Sequence, residues 1–301
     1  MNTQTAGKLD REIDVLLSRG WNPHCTTLED YVAYQWESCG DLLGQRHGER
    51  RNRIALDWLA DAIRTSGPGA ACLDVGCSYG NHLFMLNAIL GKPSDVEFVG
   101  IDLFDGAVER ATSFSKIIPG FSNCRFQRAD LSSGLPFPDD SFTAINLCDV
   151  IEHMVTPVNS LRELYRIAKP GGTLVISTPL KDSLFKRLAS VTNRLSGGKL
   201  YRAYYNGKST NLDENGNPVM ETTAGHDHVS EMSLSELKAA CIEAGFTVRE
   251  VELMSVMSGS RWFDRHPVLL AGLLLVETVH DRLRIPSWAH SVMLRLEKPA
   301  A

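Results

Sequence analysis

"LDVGCSYGNHL", residues 73–83, decides how the rest of the chain is read. An apolar run ends in Asp74. Glycine or a small residue then stands at every second position, Gly76, Ser78 and Gly80, and a helix-like run follows. A strand that turns through small residues into a helix lets a ligand approach the backbone closely. A dinucleotide fingerprint needs G-x-G-x-x-G, but counting from Gly76 puts Ser78 and Asn81 where the second and third glycines belong. The Gly-Lys-Ser/Thr of a phosphate loop is absent. The pattern fits a nucleoside ligand without a pyrophosphate.

Around this loop, short apolar runs alternate with helical stretches. "ACLDV", "VEFVGID" (96–102), "CRFQRAD" (124–130), "FTAINLCD" (142–149) and "TLVIST" (173–178) read as strands. "NHLFMLNAIL", "DGAVERATSFSK" and "PVNSLRELYRIAK" read as the helices between them. Such alternation predicts an α/β fold, a parallel sheet covered on both faces. Further on, "SELKAACIEAGF" (235–246) reads as a helix ended by Gly245, "FTVREVELM" as a strand, "HPVLLAGLLLVETVHDRLR" as a long apolar helix and "HSVMLRLEK" as the last strand. In an open parallel sheet the ligand lies outside the carboxyl ends of the strands. An acid at the tip of the second strand is the usual ribose acceptor, and Asp102 stands there, 22 residues past Gly80.

The segments "CLDVGCSYG", "VGIDLF", "RADLSSGLPFPDDSFTAINLCDVIEHM" and "LRELYRIAKPGGTLVISTP", in this order, resemble the class I S-adenosylmethionine-dependent methyltransferases. The branch they resemble includes the ubiquinone and menaquinone biosynthesis enzymes. The resemblance covers about residues 71–180, with an echo in "LSELKAACIEAGF". It implies a Rossmann-like, doubly wound, mostly parallel seven-stranded sheet with an antiparallel last strand, N-terminal helices and an inserted cap. It also implies S-adenosyl-L-methionine as cofactor. The backbone Gly76–Cys77–Ser78 to Gly80 would pass under its methionine part, with Asp74 near the amino group. Asp102, with Leu103 beside it, would take the ribose, and Asp130 and Leu131 would flank the adenine. Cys148 would touch the methionine or sulfonium region, and Arg53 is a candidate for the carboxylate. Ser78 departs from the glycine usual at the centre of the loop, which costs little unless the position needs a positive φ.

Methyl transfer to a hydroxyl needs a base, whereas a carboxylate or enolate acceptor needs none. His153 in "DVIEHM", just past the fourth strand, is the first candidate. His228 in "GHDH" is the second, should its loop fold over the site, with His226 behind it. Some quinone O-methyltransferases of this type hold a divalent metal in this stretch, at positions matching Asp149, Glu152 and His153. Asp149 replaces a glutamate of that pattern, so no metal ligands are expected. The expected activity is methyl transfer, O-directed, to a lipid, quinone, sugar or natural-product intermediate. Two other classes stay open: a non-catalytic cofactor-binding partner subunit, and a protein or nucleic-acid methyltransferase. Against the latter stand the missing Asn-Pro-Pro-Tyr type motif and a net charge of -5.

The boundaries expected are a helical segment 1–65, the cofactor-binding core 66–180, an inserted cap 181–230 and a C-terminal part 231–301 that completes the sheet. Residues 181–208 hold seven Lys or Arg against one acid, Asp182, with Tyr201, Tyr204 and Tyr205 interleaved. This is either a solvated insertion or a cap over an anionic or glycosylated acceptor. "DENGNP" (213–218) spaces oxygen ligands as a calcium loop does, but Pro218 stands where glycine is needed, so a hairpin turn is expected. Seven scattered cysteines without a CxxC read as reduced thiols of a cytoplasmic protein, and the N-terminus does not read as a secretory signal. "PVLLAGLLLV" (267–276) is about half the ~20 residues of a membrane span. It is read as core or as a homodimer interface, or else 265–284, with Arg261, Arg265, Arg282 and Arg284 at the flanks, borders a greasy substrate or touches a membrane surface.

Overall fold

The computed structural model describes residues 42–91, 93–117, 121–195, 228–257 and 261–300. Seven strands form one sheet: β1 Ala71–Val75, β2 Glu97–Asp102, β3 Cys124–Arg128, β4 Phe142–Cys148, β5 Ala168–Pro179, β6 Thr247–Leu253 and β7 Ser291–Glu297. Their order is β3-β2-β1-β4-β5-β7-β6. The pairs among β1 to β5 are parallel, whereas β7 runs antiparallel to both β5 and β6. Strand order reverses between β1 and β4, where a sheet of this kind opens a crevice for its ligand.

The helices, in chain order, are α1 Leu42–Ser66, α2 Asn81–Ile89, α3 Asp105–Ile117, α4 Pro157–Ile167, α5 Leu184–Leu195, α6 Leu234–Glu243, α7 Arg261–Asp264 and α8 Pro267–Leu283. Side chains alternate across a strand, so the sheet feeds two cores. Leu73, Val99, Ile145, Leu147 and Ile176 pack with Leu161 and Leu164 of α4 and Leu237 of α6. Cys72, Phe98, Ala144 and Val175 pack with Leu59 and Ile63 of α1, Leu83 of α2 and Phe114 of α3. Burial on both faces explains why the central strands read as near-continuous apolar runs.

Two boundaries lie furthest from the sequence reading. The helix around 235–246 ends at Glu243, because Gly245 turns into the left-handed region at φ 106° and the chain leaves as β6. It starts on a capping box: the Ser233 hydroxyl accepts from Glu236 N–H, and the Glu236 carboxylate accepts from Ser233 N–H. The fifth strand begins at Ala168 rather than after "PGG". Its register against β4 breaks between Phe142↔Ala168 and Ala144↔Thr173, so the glycines form an irregularity inside the strand. The interleaved tyrosines, "DENGNP" and His226 lie outside the described residues.

Candidate active site

The loop 76–80 leaves β1 and enters α2 at Gly80, the α2 N-cap, which has φ 85°. A Cβ on Gly80 would lie 2.6 Å from Phe126 Cζ and one on Gly76 would lie 2.5 Å from Val150 Cγ2, so both positions need glycine for space as well as for φ. Gly76 and Cys77 N–H both donate to the Ile101 carbonyl, which ties the loop to the end of β2. Ser78 takes φ 48°, the left-handed region that a glycine would occupy without strain. Its N–H donates to Asp102 Oδ2 at 2.8 Å, and Phe104 N–H donates to Asp102 Oδ1 at 3.0 Å. Asp102 is thus held in one orientation at the tip of β2, with further lone pairs on both oxygens.

Asp74, at 1% exposure, lies under the loop. Asn146 Nδ2 donates to its Oδ1 at 2.7 Å, while Oδ2 is buried without a hydrogen-bond partner. Burial pushes the carboxyl up to about 7. The network continues: Asn146 Nδ2 reaches His82 Nδ1 at 3.3 Å, and His82 Nε2 donates to Asn52 Oδ1 at 2.9 Å. Burial and the nearby Arg51 push His82 down to about 4. It is therefore neutral, and its 3.9 Å approach to Asp74 Oδ2 is no ion pair. An orphaned carboxylate oxygen beside a glycine loop suits the ammonium of a methionine moiety, and the acid at the β2 tip suits a ribose. On this test the residues fit S-adenosylmethionine.

Asp130 caps the turn Leu131–Ser133 after β3, accepting from Ser132 N–H at 2.8 Å and from the hydroxyls of Ser132 and Ser133. These bonds hold its carboxyl below the usual range. The Leu131 side chain instead enters the core. Leu103 is exposed at the β2 tip. The Cys148 thiol donates to Asn146 Oδ1 at 3.1 Å, and burial raises it to about 12, so it is a neutral contact and no nucleophile. The thiol of buried Cys77 is likewise raised by burial. Arg53, the carboxylate candidate, is exposed on α1, while its neighbours turn inward, Asn52 to His82 and Arg51 to an ion pair with Asp149. A residue step on a helix rotates a side chain by about 100°.

Sequence reasoning missed Asn52, His82, Asn146 and Arg51. One signal was available, the lone asparagine inside the apolar strand "FTAINLCD", since a polar side chain buried there must serve a network.

Past β4, Asp149 at φ 55° turns the chain; its N–H donates to the Ser177 carbonyl and its Oδ1 accepts from the Ser177 hydroxyl. Glu152, buried, accepts from Thr178 Oγ1 at 2.9 Å, and burial raises its carboxyl. The segment that begins at residue 228 lies against this turn. Val229 and Ser230 N–H donate to the Glu152 carbonyl at 2.9 and 3.0 Å, and the Ser230 hydroxyl donates to the Met154 carbonyl. Residues 228–230 therefore lie against the turn, and the His153 and His228 rings are 5.1 Å apart. His228 Nδ1 also meets Glu231 Oε1 at 3.0 Å, and Glu231 pairs with Lys186 of α5. Ligand atoms of Glu152, His153 and His228 all lie within 4.8 Å of one another, a group able to hold a metal ion. This differs from the expectation of no metal ligands. It also differs from the set matched by sequence, because Asp149 is engaged by Arg51 and Ser177 and His228 stands in its place.

A parallel sheet extended by an antiparallel β7, with a glycine loop bonded to an acid at the β2 tip, defines a class I S-adenosylmethionine-dependent methyltransferase fold. The chain belongs to the Methyltransferase domain family, whose model matches residues 46–251. It is 34% identical over 115 residues to 2-methyl-6-phytyl-1,4-hydroquinone methyltransferase of Synechocystis sp., a match covering 38% of this chain and 34% of that one. It is 32% identical over 161 residues to ubiquinone biosynthesis O-methyltransferase of Xanthomonas campestris pv. campestris, covering 52% of this chain and 62% of that one. The chain thus spans less than two thirds of the length of these relatives. Among solved structures, a putative sarcosine dimethylglycine methyltransferase from Galdieria sulphuraria superposes with TM-score 0.55 at 14% identity, covering 87% of this chain and 91% of that one. The [4+2]-cyclase SpnF superposes with TM-score 0.54 at 19% identity, covering 96% and 95%. At these identities the likeness is one of fold, and a fold shared with a cyclase leaves the reaction to be argued from the site.

Proposed function

We propose that this chain transfers a methyl group from S-adenosylmethionine to a hydroxyl of a small, largely apolar acceptor, with His153 as the base. The observation that carries the reading is the meeting of His153, His228 and Glu152 at the turn past β4, where Val229 and Ser230 N–H bond the Glu152 carbonyl. When bound, the cofactor supplies a methyl already activated on a sulfonium. The protein's part is alignment, exclusion of water and removal of one proton. Asp74, Asp102 and the 76–80 backbone hold the donor. His153 takes the hydroxyl proton, and His228 beside it orients the ring or receives the proton onward. The quinone-directed relatives support an apolar acceptor.

The test is a labelled-methyl assay with a panel of prenylated hydroquinones, catechols and aliphatic alcohols, run beside nucleic acid and protein lysate. His153→Ala should lower kcat by about 10²–10⁴ and flatten the acidic limb of the pH profile, with cofactor affinity held. Full activity and an unchanged profile in that variant would remove His153 from the chemistry.

The three-ligand group favours a second reading, in which Glu152, His153 and His228 hold a divalent ion. Such an ion would acidify the acceptor hydroxyl as a Lewis acid. Chelation would then abolish activity, added metal would restore it, and His228→Ala would lose bound metal by elemental analysis. Under the base reading, chelators have no effect.

A further inference from the structure

β6 and β7 are adjacent and antiparallel, with Leu253↔Val292 as the last pair. A hairpin there needs only a few residues, yet the chain leaves the sheet for all of 254–290 and builds α8 on the way. α8 turns much of its apolar surface outward; Leu270, Leu273 and Leu274 on its inner face are half-buried. Its buried residues are Glu277 and His280, both polar. Glu277 Oε1 accepts from Val256 N–H at 2.8 Å, His280 Nε2 meets the Met254 carbonyl at 3.2 Å, and Asp281 pairs with Arg50 and Arg46 of α1. These contacts fix the helix by that face.

An apolar stripe faces out. Val268 is 85% exposed, Leu275 65% and Leu283 65%, with Leu269 and Val276 also exposed. At about 100° per residue these five fall within one stripe, about 22 Å long from Val268 to Leu283. Among the described residues, the exposed charges that flank the stripe without an ion pair are arginines; Asp264, beside Arg265, is half-buried and accepts from Leu42 N–H. Arg265 at its head and Arg282 at its foot are exposed, while the acids of α8 are spent, Glu277 buried on backbone N–H and Asp281 on arginines.

We infer that α8 docks on an anionic lipid surface, its stripe entering the acyl boundary and its arginines meeting headgroups. Charge decides between lipid and a second copy. Pairing two stripes about a two-fold axis brings the arginine-bearing ends together, cation on cation, whichever way the helices run, and no exposed acid of α8 offsets this. Phosphate headgroups offset it. The inference is independent of the acceptor chosen above.

The test is sedimentation of the full chain with vesicles of phosphatidylcholine alone and of phosphatidylcholine with phosphatidylglycerol, at low and high salt. Wild type should sediment with the anionic vesicles and be released in part by salt. Leu275→Glu/Leu283→Glu should lose binding by about tenfold or more, and Arg265→Glu/Arg282→Glu by about tenfold. Unchanged melting and unchanged S-adenosylmethionine affinity report that both variants fold. No wild-type sedimentation with anionic vesicles overturns the inference. So does wild-type binding that the stripe variant keeps, and so does a lipid-free dimer by ultracentrifugation that the stripe variant breaks.

Discussion

At the scale of the residue, Ser78 has the departure from glycine and pays for it in φ. Left-handed backbone costs a non-glycine residue roughly 1–2 kcal/mol, and glycine's extra freedom when unfolded takes back part of any relief. Ser78→Gly should therefore raise Tm by about 2 °C and leave cofactor affinity intact, as thermal melts and calorimetry would show. Loss of affinity would make the Ser78 side chain a contact. Asp102 differs, because both its oxygens already order the backbone. Asp102→Ala should weaken cofactor binding by at least about tenfold, ~1.4 kcal/mol, and Asp102→Asn, which keeps one acceptor oxygen, by less.

Asp74 yields a pH dependence. Its carboxyl lies at about 7 in the free protein because it is buried. A bound ammonium favours the ionised form, so binding expels the proton wherever the free group is protonated. Affinity for S-adenosylmethionine should therefore rise from pH ~5.5 to ~7 by about tenfold and then level off. Asp74→Asn should bind more weakly and show no such slope. An identical slope in that variant would place the titration elsewhere.

At the scale of the element, the turn Ile151–His153 and the segment 228–232 act as one unit, joined through the Glu152 carbonyl. Ser230→Pro removes one of the two N–H donors that join them. It should lower kcat by about tenfold through misplacement of His228, with cofactor affinity unchanged in calorimetry. This element marks the limit of what the sequence disclosed. The glycine loop, Asp102 and the strands were legible because each is a local pattern: small residues at fixed spacing, an acid at the end of an apolar run. The Asn52–His82–Asn146–Asp74 network was not, since its members come from α1, α2, β4 and β1 and meet only in the folded sheet. Arg51 went unnoticed beside Arg53 because periodicity gives a helix its buried stripe but not which polar residue beside that stripe turns inward. Leu131 follows the acid at the strand end, but a leucine there has a core to fill. α8 had several readings because apolar content alone does not say which face is anchored. The anchored face is the one that carries buried Glu277 and His280.

At the scale of the whole molecule, the proposed cofactor half and the proposed catalytic turn draw on different stretches of chain, Asn52 with 74–148 for the one and 149–154 with 228–232 for the other. Variants in the second group should therefore separate kcat from cofactor affinity, and variants in the first should not. A set of both measured side by side would show whether the division is real; parallel losses across both groups would mean the loops order each other.

β7 has a consequence for how the protein is made. It is inserted between β5 and β6, and both pair with it. On the ribosome, β5 is therefore complete long before its outer neighbour emerges, and its edge, with Val175 and Ile176, waits unpaired while more than a hundred residues are added. An unpaired apolar edge recruits other chains. A chain stopped before Ser291 should partition to the insoluble fraction and be caught by chaperones. Supplying the missing strand as a separate peptide during refolding should recover soluble protein.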